Sequence, residues 1–293
     1  AVLRPLAEGS DTAAVASRAR LSLARMDLSF APGSEELLRA DLDALQTRCT
    51  ALGPGDRDLV AAPLQGLAVD TIESAAPGEY RGETMRAYAP GQALASAWIA
   101  CFPSDPARPD VLLTLARSER ALKHPDAAVR AAFAAADEAE AGRDEFRVEA
   151  LRVAVYASGD GAQVEPRDPW KHGGGHPGRQ QFVDAVIRFA VAAPKDPDAI
   201  PMLLEAAHQL GIQGDDAQAI TLLGRTISTD PMHASVATAA DRLMALVDES
   251  QQWDVGAPVL RTAARDIGRN PDPALASLQS TLMTTATAGE FLA

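Results

Sequence analysis

The sequence predicts an all-α chain built of stacked antiparallel helix pairs. Three observations carry that expectation. Alanine is abundant while aromatic residues make up only 4% of the chain; alanine has the highest helix propensity and lets helices approach closely. Apolar residues recur at helical spacing in nearly every segment, and no segment sustains the alternation of Val, Ile, Thr and aromatic residues that a sandwich or barrel requires. From about residue 92 onward, the helical segments fall into a common register.

Residues 1–90 form an N-terminal helical region that lies off this register. Asp11 is placed to cap a helix reaching to about Ser29, with Val15, Leu21, Leu23 and Leu28 among its apolar residues, and Pro32-Gly33 breaks it. Ser34 caps a second helix, and Glu35 and Glu36 in its first turn favour the positive helix end. Leu37, Leu38, Leu42 and Leu45 give it an apolar face. Gly53-Pro54-Gly55 ends this helix, and Asp56 opens a third holding Leu59, Val60, Leu64, Leu67 and Ile72. Residues 76–91, rich in Gly, Pro and charge, are expected to form a loop.

Residues 91–293 carry the repeats. In the stretch DAIPMLLEAAHQLGIQGDDAQAITLLGRTISTDP, Leu203, Ala206, Ala207 and Leu210 mark a first helix, Gly214-Asp215 a turn, Ala219 and Leu223 a second helix, and Pro231 its end. Large residues fill the space between helices, small ones sit at close crossings and proline stops the second helix. The register extends to Phe146, Ala150 and Val153 with Ala185, Phe189 and Pro197. It continues to Leu112, Leu115 and Ala116 with Ala128 and Ala132, and to Leu94, Trp98 and Pro106. On the other side Ala237, Ala240 and Met244 open a further unit that Val259, Ala263 and Pro271 close about six residues late. The quoted stretch resembles a tetratricopeptide repeat, whose period is about 34 residues, and degenerate copies cover roughly residues 92–273. The resemblance implies a right-handed α-solenoid of antiparallel helix pairs, with the first helices lining a concave groove that holds a peptide or a neighbouring subunit. On that analogy the partner-binding residues are Arg117 and Arg120, Arg147 and Arg152, and Glu205, His208 and Gln209.

An insertion at residues 158–179 interrupts the register with SGDGAQVEPRDPWKHGGGHPGR, too rich in Gly and Pro for a helix. Trp170, Lys171, His172 and His176 in it are further candidates for partner contact. His172 and His176 are spaced like two zinc ligands, but three glycines oppose the helix that would align them and no second ligand pair is near, so no metal is expected. Because the flanking units keep one register, this insertion is expected to be removable without unfolding the chain.

Composition narrows the function. The net charge of -13 opposes a phosphate-tracking surface, so nucleic acid is not expected as a partner. No apolar run reaches the roughly 18 residues of a membrane span, and a soluble protein is expected. Cys49 and Cys101 fit two small core residues; a bridge between them is the alternative, and would imply an oxidising compartment. The chain opens on Ala1 and fits either a processed form or an excerpt of a longer protein. No phosphate loop, dinucleotide fingerprint, nucleophile elbow or isolated carboxylate pair is present, and no cofactor is expected. The sequence therefore favours a non-catalytic interaction or scaffold subunit that binds a protein or peptide within a larger assembly. The alternative is an enzyme with a helical-toroid fold or a metal site built on His172 and His176.

Overall fold

Helices form wherever apolar residues recur every three or four positions. The computed structural model describes residues 17–18, 20–25, 35–49, 52, 54–75, 81–164, 177–270 and 272–293, and every regular element among them is helical. Two compact units divide the chain, Ala1–Ala157 and Ser158–Ala293.

Residues 20–25 of the first unit are helical. They precede α1 (Glu35–Cys49), α2 (Pro54–Ala75), α3 (Arg81–Cys101), α4 (Arg108–Ala121), α5 (Pro125–Glu138) and α6 (Asp144–Val164), whose last turns belong to the second unit. Leu38, Leu42 and Leu45 of α1 join Leu64 of α2 and Leu94 and Trp98 of α3 in one buried cluster. Trp98 is fully buried, and its indole Nε1 donates to the Ala61 carbonyl at 2.9 Å; this supplies the partner that a buried indole needs. Cys49 and Cys101 form a disulfide, with Cα atoms 5.4 Å apart, that ties the end of α1 to the end of α3. Both cysteines are buried, as expected of core residues, and of the two readings left open the bridged one holds.

Two expectations for this unit are corrected. Residues 81–91 are not loop but the first half of α3, which runs through Pro90. An interior proline forfeits a helix hydrogen bond at about 3 kcal/mol; the burial of Leu94, Ala95, Ala97 and Trp98 on the same helix outweighs that loss. Gly91 is a packing residue rather than a breaker, because a Cβ there would overlap the Ile72 side chain of α2. The helix assigned to start at Asp56 begins at Pro54 instead, a position where the missing N–H has no intrahelical partner to lose. Asp11, Val15, Leu28, Ser29, Pro32, Gly33 and Ser34 lie outside the described residues.

The second unit holds α7 (Pro177–Ala192), α8 (Ala199–Gln213), α9 (Asp216–Thr229), α10 (Val236–Ser250), α11 (Trp253–Ile267) and α12 (Ala274–Gly289). Here too the expected first- and second-helix residues are buried: Leu203, Ala206, Ala207 and Leu210 on α8, Ala219 and Leu223 on α9. On α10 the inward face is Val236, Ala239, Ala240, Leu243 and Val247; of the expected Ala237, Ala240 and Met244 only Ala240 is buried, and Val236 and Leu243, each one residue earlier, take the places of the other two. Trp253 packs at the α11–α12 crossing, where a Cβ on Gly289 would overlap its ring.

Turn chemistry repeats more strictly than the side chains do. Within pairs, a residue in the left-handed region is followed by the cap of the next helix: Lys123-His124, Gly214-Asp215 and Gln251-Gln252, with φ of 65°, 76° and 56° at the first position. The same bond closes two of these turns, from the His124 amide to the Glu119 carbonyl and from the Asp215 amide to the Leu210 carbonyl. Between pairs, the side chains of Asp105, Asp196 and His233 each accept the amide two residues on, at 2.8, 3.0 and 3.1 Å. Their carbonyls accept the amide three residues on. Pro106 and Pro197 share a place in this turn; Ala234, not Pro231, is their counterpart. The period also differs from the expected 34. First helices begin at Arg108 and Asp144, 36 apart, and at Ala199, Val236 and Ala274, 37 and 38 apart.

The insertion is shorter than its composition suggests. Residues 158–164 continue α6 and residues 177–179 open α7. Ser158 and Arg179 are buried, and Gly159 lies where a Cβ would rest against the Phe182 ring at 3.6 Å. Deleting residues 158–179 would therefore cut into helix and core, which overturns the expectation that all of it is dispensable.

The disulfide closes a loop of 52 residues, for which chain entropy gives about 4 kcal/mol. Replacing Cys49 and Cys101 with Ser should lower the stability of the first unit by about that amount, measured by urea unfolding with Trp98 fluorescence. Lys123→Gly and Gln251→Gly should each raise stability by about 0.5–1 kcal/mol, since only glycine adopts the left-handed region without steric cost. Denaturant titrations of the two variants measure this, and a loss of stability in either would contradict the turn assignment.

Candidate functional site

A polar ladder joins α4 to the segment that opens α6. At its start Asp110 takes a bidentate pair from Arg143, with Nη1–Oδ2 at 3.0 Å and Nη2–Oδ1 at 2.6 Å. The Asp110 hydrogen bond raises the Arg143 pKa above its ordinary value, and the guanidinium lies 4.1 Å above the Phe146 ring centroid. Two turns along α4, Arg117 Nη2 reaches Glu149 Oε1 at 3.2 Å, and Arg152 Nη1 reaches Glu149 Oε2 at 3.3 Å. One turn further, Arg120 sits 5.0 Å over the ring of Tyr156, which is 40% exposed.

Three of the sequence-predicted residues, Arg117, Arg120 and Arg152, are thus brought together around Glu149 and Tyr156. Helical spacing explains how: 117 and 120 share a face of α4, and 149, 152 and 156 share a face of α6. Arg117 and Arg152 keep 48% and 30% of their side-chain surface exposed. Arg147 stands apart. Its guanidinium donates to the carbonyls of Ala136 and Ala139 at the end of α5, at 3.3 and 3.4 Å, and pairs with Asp144. It satisfies helix-end carbonyls that would otherwise lack partners.

Glu205, His208 and Gln209 lie on α8 in the second unit, Glu205 and His208 exposed. Gln209 Nε2 donates to Glu205 Oε1 at 2.6 Å. Trp170, Lys171, His172 and His176 lie outside the described residues. Among the described residues no group of three or more His, Cys, Asp or Glu side chains could hold a metal ion, and no helix is long and apolar enough to cross a membrane.

Sequence reading missed two features. Arg143 carries the shortest ion pair of the ladder, and a signal for it exists: Asp110 and Arg143, like Arg117 and Glu149, are opposite charges 33 and 32 residues apart, about one helical turn short of the period. His124 is not a lone histidine. Its Nδ1 lies 2.8 Å from Oε2 of buried Glu119, whose Oε1 accepts from Gln92 Nε2 at 3.0 Å, so one carboxylate joins α3, α4 and the turn after it.

These elements define the class: an all-α protein of consecutively packed, repeat-like helix pairs. No family model and no curated protein matches the chain. Among solved structures, one described as "Computational Design of Self-Assembling Cyclic Protein Homooligomers" aligns with 99% of this chain and 89% of that chain at 13% identity, with a TM-score of 0.20. A likeness at that score carries no argument about fold or function.

Because Arg147 caps α5, Arg147→Ala should lower stability by about 1 kcal/mol. Arg117→Ala, which removes an exposed pair, should change it by less than about 0.5 kcal/mol. Paired urea titrations compare the two, and equal losses would show that the ladder and the cap are alike in kind.

Proposed function

We propose that this chain is a non-catalytic interaction or scaffold subunit. It is a tetratricopeptide-like, right-handed solenoid whose first helices form the recognition surface for a partner protein or peptide within a larger assembly. The supporting observation is the gathering of Arg117, Arg120, Arg152 and Tyr156 on the first helices of successive pairs. Arg and Tyr are enriched at interface hot spots, because each combines a large contact surface with directional polar groups. Ion pairs with Glu149 and the stacking of Arg120 on Tyr156 hold these side chains in place, which lowers the entropy lost on binding. Nucleic acid remains an unsuitable partner at a net charge of -13.

A photo-reactive amino acid at position 120, introduced into the chain in its native source, tests this proposal. One dominant protein partner should be cross-linked there. The Arg117→Glu, Arg152→Glu double variant should lose it while melting within a few degrees of the parent. Retention of the partner by that variant would remove the α4–α6 face from the proposal, and substrate turnover by the purified chain would end the non-catalytic reading.

A further inference from the structure

The first unit holds both cysteines of the chain, and the bridge between them leaves no free thiol. Cys49 is 1% exposed and Cys101 3%. Both belong to the buried cluster of this unit, together with Leu45, Leu52, Trp98, Phe102 and Val111. α1 packs on α3, two elements along the chain, and the bridge pins that pairing at the ends of both helices. Thiol–disulfide exchange begins with a thiolate reaching a disulfide sulfur, so its rate depends on access. Sulfurs closed in by core side chains give little access, and the folded unit shields the bond from reductants. The same closure bars an oxidant, so the bond forms before the cluster closes. Redox-sensing cysteines are accessible and stand beside a resolving thiol. This pair is buried, and no third cysteine exists to open the bridge from within the chain. Two cysteines also allow a single intrachain pairing, so formation calls for an external oxidant and for no reshuffling.

We propose that the Cys49–Cys101 bridge is a permanent staple, installed on the incompletely folded chain by disulfide transfer from a thiol–disulfide oxidoreductase of an oxidising compartment. One cysteine thiolate attacks the oxidoreductase disulfide, forming a mixed disulfide and expelling one oxidoreductase thiolate. The second cysteine thiolate attacks the chain's own sulfur in that mixed disulfide, and the oxidoreductase leaves as a dithiol. Two electrons pass from the chain to the oxidoreductase. The two protons lost as the chain thiols ionise are balanced by two taken up by the oxidoreductase thiolates. A reducing compartment would instead leave two buried thiols in the core. The staple uses none of the residues of the α4–α6 face, and it stands or falls independently of the interaction function.

Two measurements test it. Chain taken from its native source is quenched in acid, treated with N-ethylmaleimide in denaturant before and after reduction, and weighed by mass spectrometry. No label before reduction and two labels after it are expected. Two labels before reduction would overturn the proposal, since the chain would then mature with free thiols. A mixture of bridged and free forms would overturn it too, because a permanent staple has no reduced pool. In the second measurement the purified chain is exposed to dithiothreitol with and without denaturing urea. Reduction should be at least about a hundred-fold slower without urea, because the folded unit has to open first. Rates within a few-fold of each other would overturn the shielding and make the bridge a reducible switch.

Discussion

Close approach between helices is the constraint on which the rest of this structure depends. With few aromatic residues to fill space, density comes from bringing backbones together, and that requires small residues at each crossing. α5 meets it with Ala128, Ala131, Ala132, Ala135 and Ala136, all buried. Where alanine is still too large, glycine takes over: Gly224 against Val259, Gly256 against Val247, Gly289 against Trp253. A few large residues fill the space that remains, as the fully buried Trp98 and Phe189 do.

Short, stereotyped turns follow from that closeness. Helices this near are joined by short connections: a left-handed residue and a cap suffice within pairs, and an Asp or His side chain organises three of the turns between pairs. The side chain that caps can change chemistry without altering the turn. His233 Nδ1 accepts the same backbone amide that the carboxylates of Asp105 and Asp196 accept, because any acceptor at that point satisfies the amide. Consecutive turns are also tied to each other, as when Asn270 Nδ2 donates to the Pro231 carbonyl at 2.7 Å.

The candidate recognition face is a by-product of the same geometry. Residues spaced about one helical turn short of a period come within reach of each other where α4 meets the start of α6, so opposite charges at that spacing pair there. Asp110 with Arg143 and Arg117 with Glu149 obey this rule. Such pairs contribute little stability when exposed. They do fix the positions of long side chains, and a surface with fixed arginines is better prepared for a ligand than one with mobile ones.

The division between sequence and tertiary structure is clear in particular residues. All-α architecture, the antiparallel pairs, the inward residues of α8 and α9 and the Gly214-Asp215 turn were legible, because periodicity and turn chemistry are local. Arg117, Arg120 and Arg152 were legible as first-helix surface, since helical spacing places them. Gly91, Pro90 and the glycines at the end of α6 were misread. Each carries a local cost, and only the neighbouring helix, absent from any local window, supplies the packing that offsets it. The role of Arg147 as a cap, the Glu119–His124 pair, the bridge between Cys49 and Cys101 and the burial of Arg179 are likewise contacts between elements. Sequence by itself determined that this chain folds into helix pairs, because hydrophobic period and helix propensity act along the chain. Tertiary structure alone decided the repeat length, the extent of the insertion and which charges meet, because these depend on distances between segments that the linear order does not specify.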